Sequence, residues 1–259
     1  TTFIRFIRTI AVLSILMFFA GCGGGGGGGG SSETVSGVAA SGAPIIGYAY
    51  LKDSAGHTEG PVKIATDGKF SFDVTGLTAP FYLMAEGTVA ERSIQIYSAS
   101  IGVGTANINP ITDLAVANAT GATLPSDVYN DPESYPITQD NLDAAIEDIQ
   151  YMLQPLLDAY SVTNNPLTDS YTANHTGLDA VFDVITVTVF DDGDVDIINK
   201  ITNDIMGQTT TSNIGDADQV TNIPDTQTIT DIQNIAEVLS TFATSLNAGS
   251  SLESYFATS

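Results

Sequence analysis

The sequence predicts an α+β protein: a small antiparallel β-sandwich over residues 34–106, then a mainly α-helical region over 107–259 that carries one β-hairpin at 185–200. Three observations predict it. Lys69–Thr75 alternates, with Phe70, Phe72 and Val74 on one face and Lys69, Ser71 and Asp73 on the other, the period of a half-buried strand. Leu142, Ala145, Ile146, Ile149, Leu153, Leu156 and Leu157 instead recur at three- and four-residue steps, one stripe of a helix. Between residues 34 and 106, short strand-like runs follow one another with turn signals and no helical pattern between them.

The chain opens with Arg5 and Arg8, then an apolar stretch from Ile10 to Ala20 broken only by Ser14. That stretch is about half the length of a bilayer-spanning helix. A charged start, a short apolar core and the small residues Ala20 and Gly21 describe an export signal over residues 1–21. Phe19-Ala20-Gly21-Cys22 holds the only cysteine, so no disulfide partner exists for it within the chain. The four residues resemble the lipobox of bacterial lipoproteins. The resemblance implies that Cys22 is lipidated, becomes the first mature residue and makes the membrane a partner. With Gly23 following, and not Asp, it implies the outer membrane. Each buried acyl methylene contributes about 0.8 kcal/mol, so two or three chains hold such a protein stably. Residues 23–33, eight glycines followed by Ser31, Ser32 and Glu33, then form a tether with a root-mean-square reach of roughly 18 Å. The glycine run satisfies G-x-G-x-x-G by composition alone; no strand precedes it, so it is not a nucleotide loop.

In the sandwich region Thr34–Ser41 and Ile46–Asp53 flank the turn Gly42-Ala43-Pro44. Val62–Thr66 and Lys69–Thr75 flank Asp67-Gly68, which predicts a hairpin. Phe81–Gly87 and Ser93–Ser98 are two further strands. The segments Val38–Tyr50 ("VAASGAPIIGYAY") and Ala65–Leu77 ("ATDGKFSFDVTGL") resemble the carboxypeptidase regulatory-like domain, akin to collagen-adhesin B-type repeats. Tyr48 stands where that family has a small residue. The resemblance implies an Ig/transthyretin-like, non-catalytic sandwich of the kind found on exported proteins.

Past Asn107 the period changes. Asn109 and Pro110 predict the start of a helix over Pro110–Thr120. Thr138 begins the long amphipathic helix, which Pro155 breaks near its end. Leu178–Val184 predicts a short helix, and Ile185–Phe190 and Val195–Lys200 pair across Asp191-Asp192-Gly193-Asp194. Ile232, Ile235, Leu239, Phe242 and Leu246 mark a last helix, capped by Gly249. Ser251–Phe256 reads as the first turn of another, so the chain is expected to be a piece of a longer one. This order of elements resembles exported proteins that pair a regulatory-like sandwich with a mainly helical region, a likeness of architecture without an activity.

Charge narrows the partners. Removing Arg5 and Arg8 with the signal leaves five basic residues against all 30 acidic ones, a net charge of −25. Phosphate binding needs Lys and Arg, so nucleic acid is not an expected partner. At 43% hydrophobic residues the chain builds a core, and the acidity coats it. The densest carboxylate cluster is Asp191, Asp192, Asp194 and Asp196, a candidate calcium site that lacks the EF-hand spacing; a solvated hairpin turn explains the same residues. No other cofactor is implied.

His57 and His175, the only histidines, sit in polar, loop-like surroundings without zinc spacing. G-x-S-x-G is missing, and Ser41 lies in a turn between strands. Paired carboxylates of a carbohydrate hydrolase are the alternative to a binding module, weakened by the absence of Trp, although Tyr48, Tyr50, Tyr82 and Tyr97 lie on strands. The expectation is an envelope lipoprotein, non-enzymatic, that binds or presents a protein or glycan partner.

Overall fold

The computed structural model describes residues 33–249 and Tyr255; the expected signal over residues 1–21, Cys22, all but Glu33 of the expected tether and the rest of the chain's end lie outside the described residues. The protein is mixed α+β, with three sheets and six helices among the described residues.

Seven strands come first: β1 (Thr34–Val38), β2 (Ile46–Lys52), β3 (Thr58–Lys63), β4 (Lys69–Asp73), β5 (Phe81–Val89), β6 (Arg92–Ser100) and β7 (Gly104–Thr105). They form two sheets, ordered β4-β1-β7 and β3-β2-β5-β6. Ala49, Leu51, Leu83 and Ala85 of the larger sheet share one apolar cluster with Val35, Phe70 and Phe72 of the smaller. The alternation read at Lys69–Thr75 is the one observed: Phe70 and Phe72 are buried, Lys69, Ser71 and Asp73 exposed.

Two features depart from the expected meander. Gly68 takes the left-handed turn at Asp67-Gly68, but β3 pairs with β2 and β4 with β1, so the turn carries the chain between sheets. β7 runs parallel to β1, in a pairing that Gly37 permits: a Cβ there would lie 2.3 Å from the Ala106 carbonyl oxygen.

The helices follow: α1 (Pro110–Thr120), α2 (Pro125–Asn130), α3 (Gln139–Met152), α4 (Gln154–Ala159) and α5 (Leu178–Val184). Asn109 caps α1 by accepting from the Ile111 and Thr112 amides, and Gly121 ends it at φ 70°. Thr138 caps α3, and Leu153 separates α3 from α4, where Pro155 sits in the first turn. The third sheet, β10-β9-β8, comprises β8 (Ile185–Val189), β9 (Asp194–Asn199) and β10 (Ile205–Thr210).

The helices do not form a body of their own. Tyr82, Tyr97 and Ala99, on the opposite face of the larger sheet, share a cluster with Leu114, Ile146, Phe182 and Val195. The larger sheet is therefore covered on both faces by two apolar clusters, and the change of period at Asn107 marks a change of element type within one compact unit. The described residues all belong to one compact unit. The last helix, α6 (Thr226–Asn247), leaves Ile235, Val238 and Leu239 more than half exposed.

Candidate functional site

The larger sheet ends at β6 and the third sheet ends at β8, and the two edges line one cleft of about 540 Å³. Pro110 and Asp113 of α1 and the start of α2 complete its wall. At Tyr97 the β6 edge is closed: its amide donates to the Asp113 carboxylate at 2.8 Å, and its carbonyl accepts from the Thr112 hydroxyl at 3.1 Å. Hydrogen-bonding directions alternate along a strand, so Ser93 and Gln95 aim their peptide groups to the same side. Nothing among the described residues takes them up.

The β8 edge follows the same logic. Phe190 donates to the Asp194 carbonyl, and the Val184 carbonyl accepts from Lys200, which assigns the even-numbered residues to β9. Val187 and Val189 turn their peptide groups outward, to the cleft side. Two rows of unpaired donors and acceptors thus border one slot. Such edges are templates for a further strand.

Charge is distributed unevenly along the slot. At one end stand Arg92, which opens β6, and Lys200, which follows β9. Burial lowers the Lys200 pKa; Asp183 opposes the shift and Arg92 adds to it, which places the two cations within electrostatic reach. Lys200 donates to the Phe182 carbonyl at 2.6 Å, while Arg92 makes no ion pair among the described residues. At the other end stand Asp113 and Asp191. Burial pushes the Asp113 carboxyl up to about 7 against the Tyr97 amide, which favours the anion.

The candidate calcium residues lie at and beyond that acidic end. Asp191 and Asp192 form the β8–β9 turn, with Asp192 accepting from the Asp194 amide at 3.3 Å. Asp196 accepts from the Gln208 side chain at 2.8 Å. Among the described residues no three His, Cys, Asp or Glu side chains gather as a metal site. Cys22, the lipidation candidate, lies outside the described residues.

The histidines each meet a carboxylate. His57 Nδ1 lies 3.1 Å from Asp53, at the tip of the β2–β3 connection, and His175 Nδ1 lies 3.0 Å from Asp183. Asp179 and Asp183, both on α5, flank His175, whose amide donates to Asp179 at 2.7 Å. Asp179 is fully buried, and its Oδ1 has no partner among the described residues. Burial raises the pKa of both carboxyls. Of the strand tyrosines, Tyr82 and Tyr97 are buried, Tyr50 donates to Glu86 at 2.6 Å and only Tyr48 is largely exposed.

Sequence reading missed the cleft itself. Its edges are about ninety residues apart in the chain, and no local pattern says that two strands will end their sheets side by side. Comparison with known proteins finds no matching family model, curated protein or solved structure.

Proposed function

We propose that the protein is a lipid-anchored module of the bacterial outer membrane, non-catalytic, that holds an extended polypeptide segment in the cleft between β6 and β8. The observation that carries the reading is the pair of open sheet edges on one slot, since strand addition supplies main-chain hydrogen bonds from both sides. The envelope address rests on the leader, Cys22 and the glycine tether. The two N-terminal sheets fit the Ig/transthyretin-like sandwich of the regulatory-like family in sharing one apolar cluster.

Two measurements test the reading. Wild-type protein is expected in the membrane fraction with acyl chains by mass, and Cys22→Ser protein in the soluble envelope fraction; recovery of both with the membrane refutes the address. A neutral strand-forming peptide, acetyl-Gln-Val-Thr-Val-Gln-amide, is expected to shift the amide resonances of Ser93, Gln95, Val187 and Val189. Shifts elsewhere, or none, refute the cleft as the binding site.

A further inference from the structure

The slot between β6 and β8 is polar along its length, and its polarity sets the direction in which a strand can enter. β6 runs from Arg92 toward Tyr97, which Asp113 meets; β8 runs from Ile185, opposite Asn199 and next to Lys200, toward the turn that holds Asp191. Gly193 of that turn packs beside Thr123, just ahead of α2, so Asp191 and the Leu124–Ser126 stretch share one end. Arg92 and Lys200 share the other. Both edges therefore start at the cationic end and finish at the acidic end. The slot also holds two of the five basic residues that follow Cys22, on a protein otherwise coated in carboxylates.

Resting on the strand-binding reading above, we propose that the occupant is an extended segment with a basic residue at its N-terminal side and an acidic residue at its C-terminal side, lying antiparallel to both β6 and β8. Such a segment places its carboxylate between Arg92 and Lys200 and its cation by Asp113 and Asp191. Antiparallel pairing is also the more stable ladder, so charge and backbone select the same direction. The length fits: five residues at about 3.3 Å each span roughly 16 Å, the run of β8. A segment of the opposite charge order could satisfy its end charges only by running parallel to both edges.

The test compares two peptides of identical composition and zero net charge, so that the protein's overall negative field acts equally on both. Acetyl-Lys-Val-Thr-Val-Glu-amide and acetyl-Glu-Val-Thr-Val-Lys-amide are titrated into the full chain, with the neutral Gln peptide as reference. The Lys-first peptide is expected to bind roughly fivefold more tightly than the Glu-first peptide, the scale of two partly exposed ion pairs. The preference is expected to vanish in high salt. Arg92→Glu is expected to erase or reverse it.

Equal binding of the two ordered peptides, or a preference that Arg92→Glu leaves intact, overturns this inference while the neutral peptide still marks the cleft. If no peptide moves the Gln95 and Val187 amides, the strand-binding reading itself falls.

Discussion

Asn107 and Asn109 donate to the same acceptor: their side-chain amides reach the Pro166 carbonyl at 3.2 and 2.8 Å. Both residues are fully buried. Asn107 also donates to the Asp169 carbonyl at 2.8 Å and accepts from the Val38 amide at 3.0 Å, while Asn109 caps α1. Three connections thus meet at one point: β1, the start of the helical region and the 166–169 loop. The knot fixes α1, and through Thr112 and Asp113 it fixes the closed part of the β6 edge.

Asn107→Ala is expected to destabilise the fold by about 3 kcal/mol, because it leaves the buried Val38 amide and the Asp169 carbonyl without their partner, while the Pro166 carbonyl keeps only Asn109. Asn107→Asp is expected to be at least as damaging, since a carboxylate keeps the acceptor but loses both donated bonds. Urea unfolding of the two variants checks this. An Asn107→Ala midpoint equal to that of wild type would contradict the assigned role.

How much of this was legible in the sequence depends on the range of each signal. The cap at Asn109, Pro110 in the first turn, the end at Thr120 and the break at Pro155 act within a few residues, and all are where the sequence puts them. Asp67-Gly68 was legible as a turn but not as a passage between sheets, because strand partners are chosen by Phe70 and Phe72 finding Leu51 and Leu83 far along the chain. α2 is one short stretch whose only signals are Pro125 in its first turn and Asp127 reaching back to the Leu124 amide. β10 carries Gly207 at its centre, with Val220 packed 3.1 Å from where a Cβ would stand, and reads locally as loop. The cleft is a relation between two sheet edges, which no window of sequence contains.

Stability is expected to peak on the acid side of neutrality. Burial raises the carboxyl pKa of Asp113, to about 7, and of Asp179 and Asp183, so the folded chain holds these protons more tightly than the unfolded chain, where such groups titrate near 3.9. Stability is therefore gained as pH falls from about 7 toward 4 and is fully lost above 7. Asp53 has the opposite sign. Burial works against its ionisation, but amide bonds from Thr78, His57 and Ala55 and the His57 ring outweigh it and lower its pKa. Its contribution is present above the unfolded value and lost as pH falls below about 4. Melts across pH 3–8 are expected to give a maximum at about pH 4–6. Asp113→Asn, which keeps an acceptor for Tyr97, is expected to flatten the slope between pH 5 and 7.5 by something of the order of 1–2 kcal/mol. A maximum above pH 7 would contradict the burial assignments.

The hairpin that delivers Arg92 to the cleft is held in an unfavourable turn. Ala90 and Glu91, its two central residues, both have positive φ, 47° and 65°, between the paired residues Val89 and Arg92. Two-residue hairpins of this kind prefer Asn-Gly. The double change Ala90→Asn, Glu91→Gly is expected to stabilise the protein by about 1–2 kcal/mol, the cost of two left-handed side-chain-bearing residues. A lower melting temperature for the double variant would show that the turn does not hold this shape in solution.

Gly47 and Gly87 face each other across β2 and β5, and neither tolerates a side chain. A Cβ on Gly47 would stand 2.0 Å from the Glu86 carbonyl oxygen, and one on Gly87 would stand 2.4 Å from that of Ile46. Both obstacles are backbone, so no rotamer change relieves the clash, and the strands must separate. Gly47→Ala is expected to cost about 2–3 kcal/mol. The damage should extend to β6, which pairs with β5 along its whole length, with Gly87 opposite Ile94 beside the open edge. Amide exchange separates this from a uniform loss of stability. In Gly47→Ala protein, Ile94 and Ile96, whose amides point to β5, are expected to exchange faster relative to the Leu114 and Ile146 amides of the helical layer. Equal acceleration of all four would show that the glycine pair supports the fold as a whole and not the strand that borders the cleft.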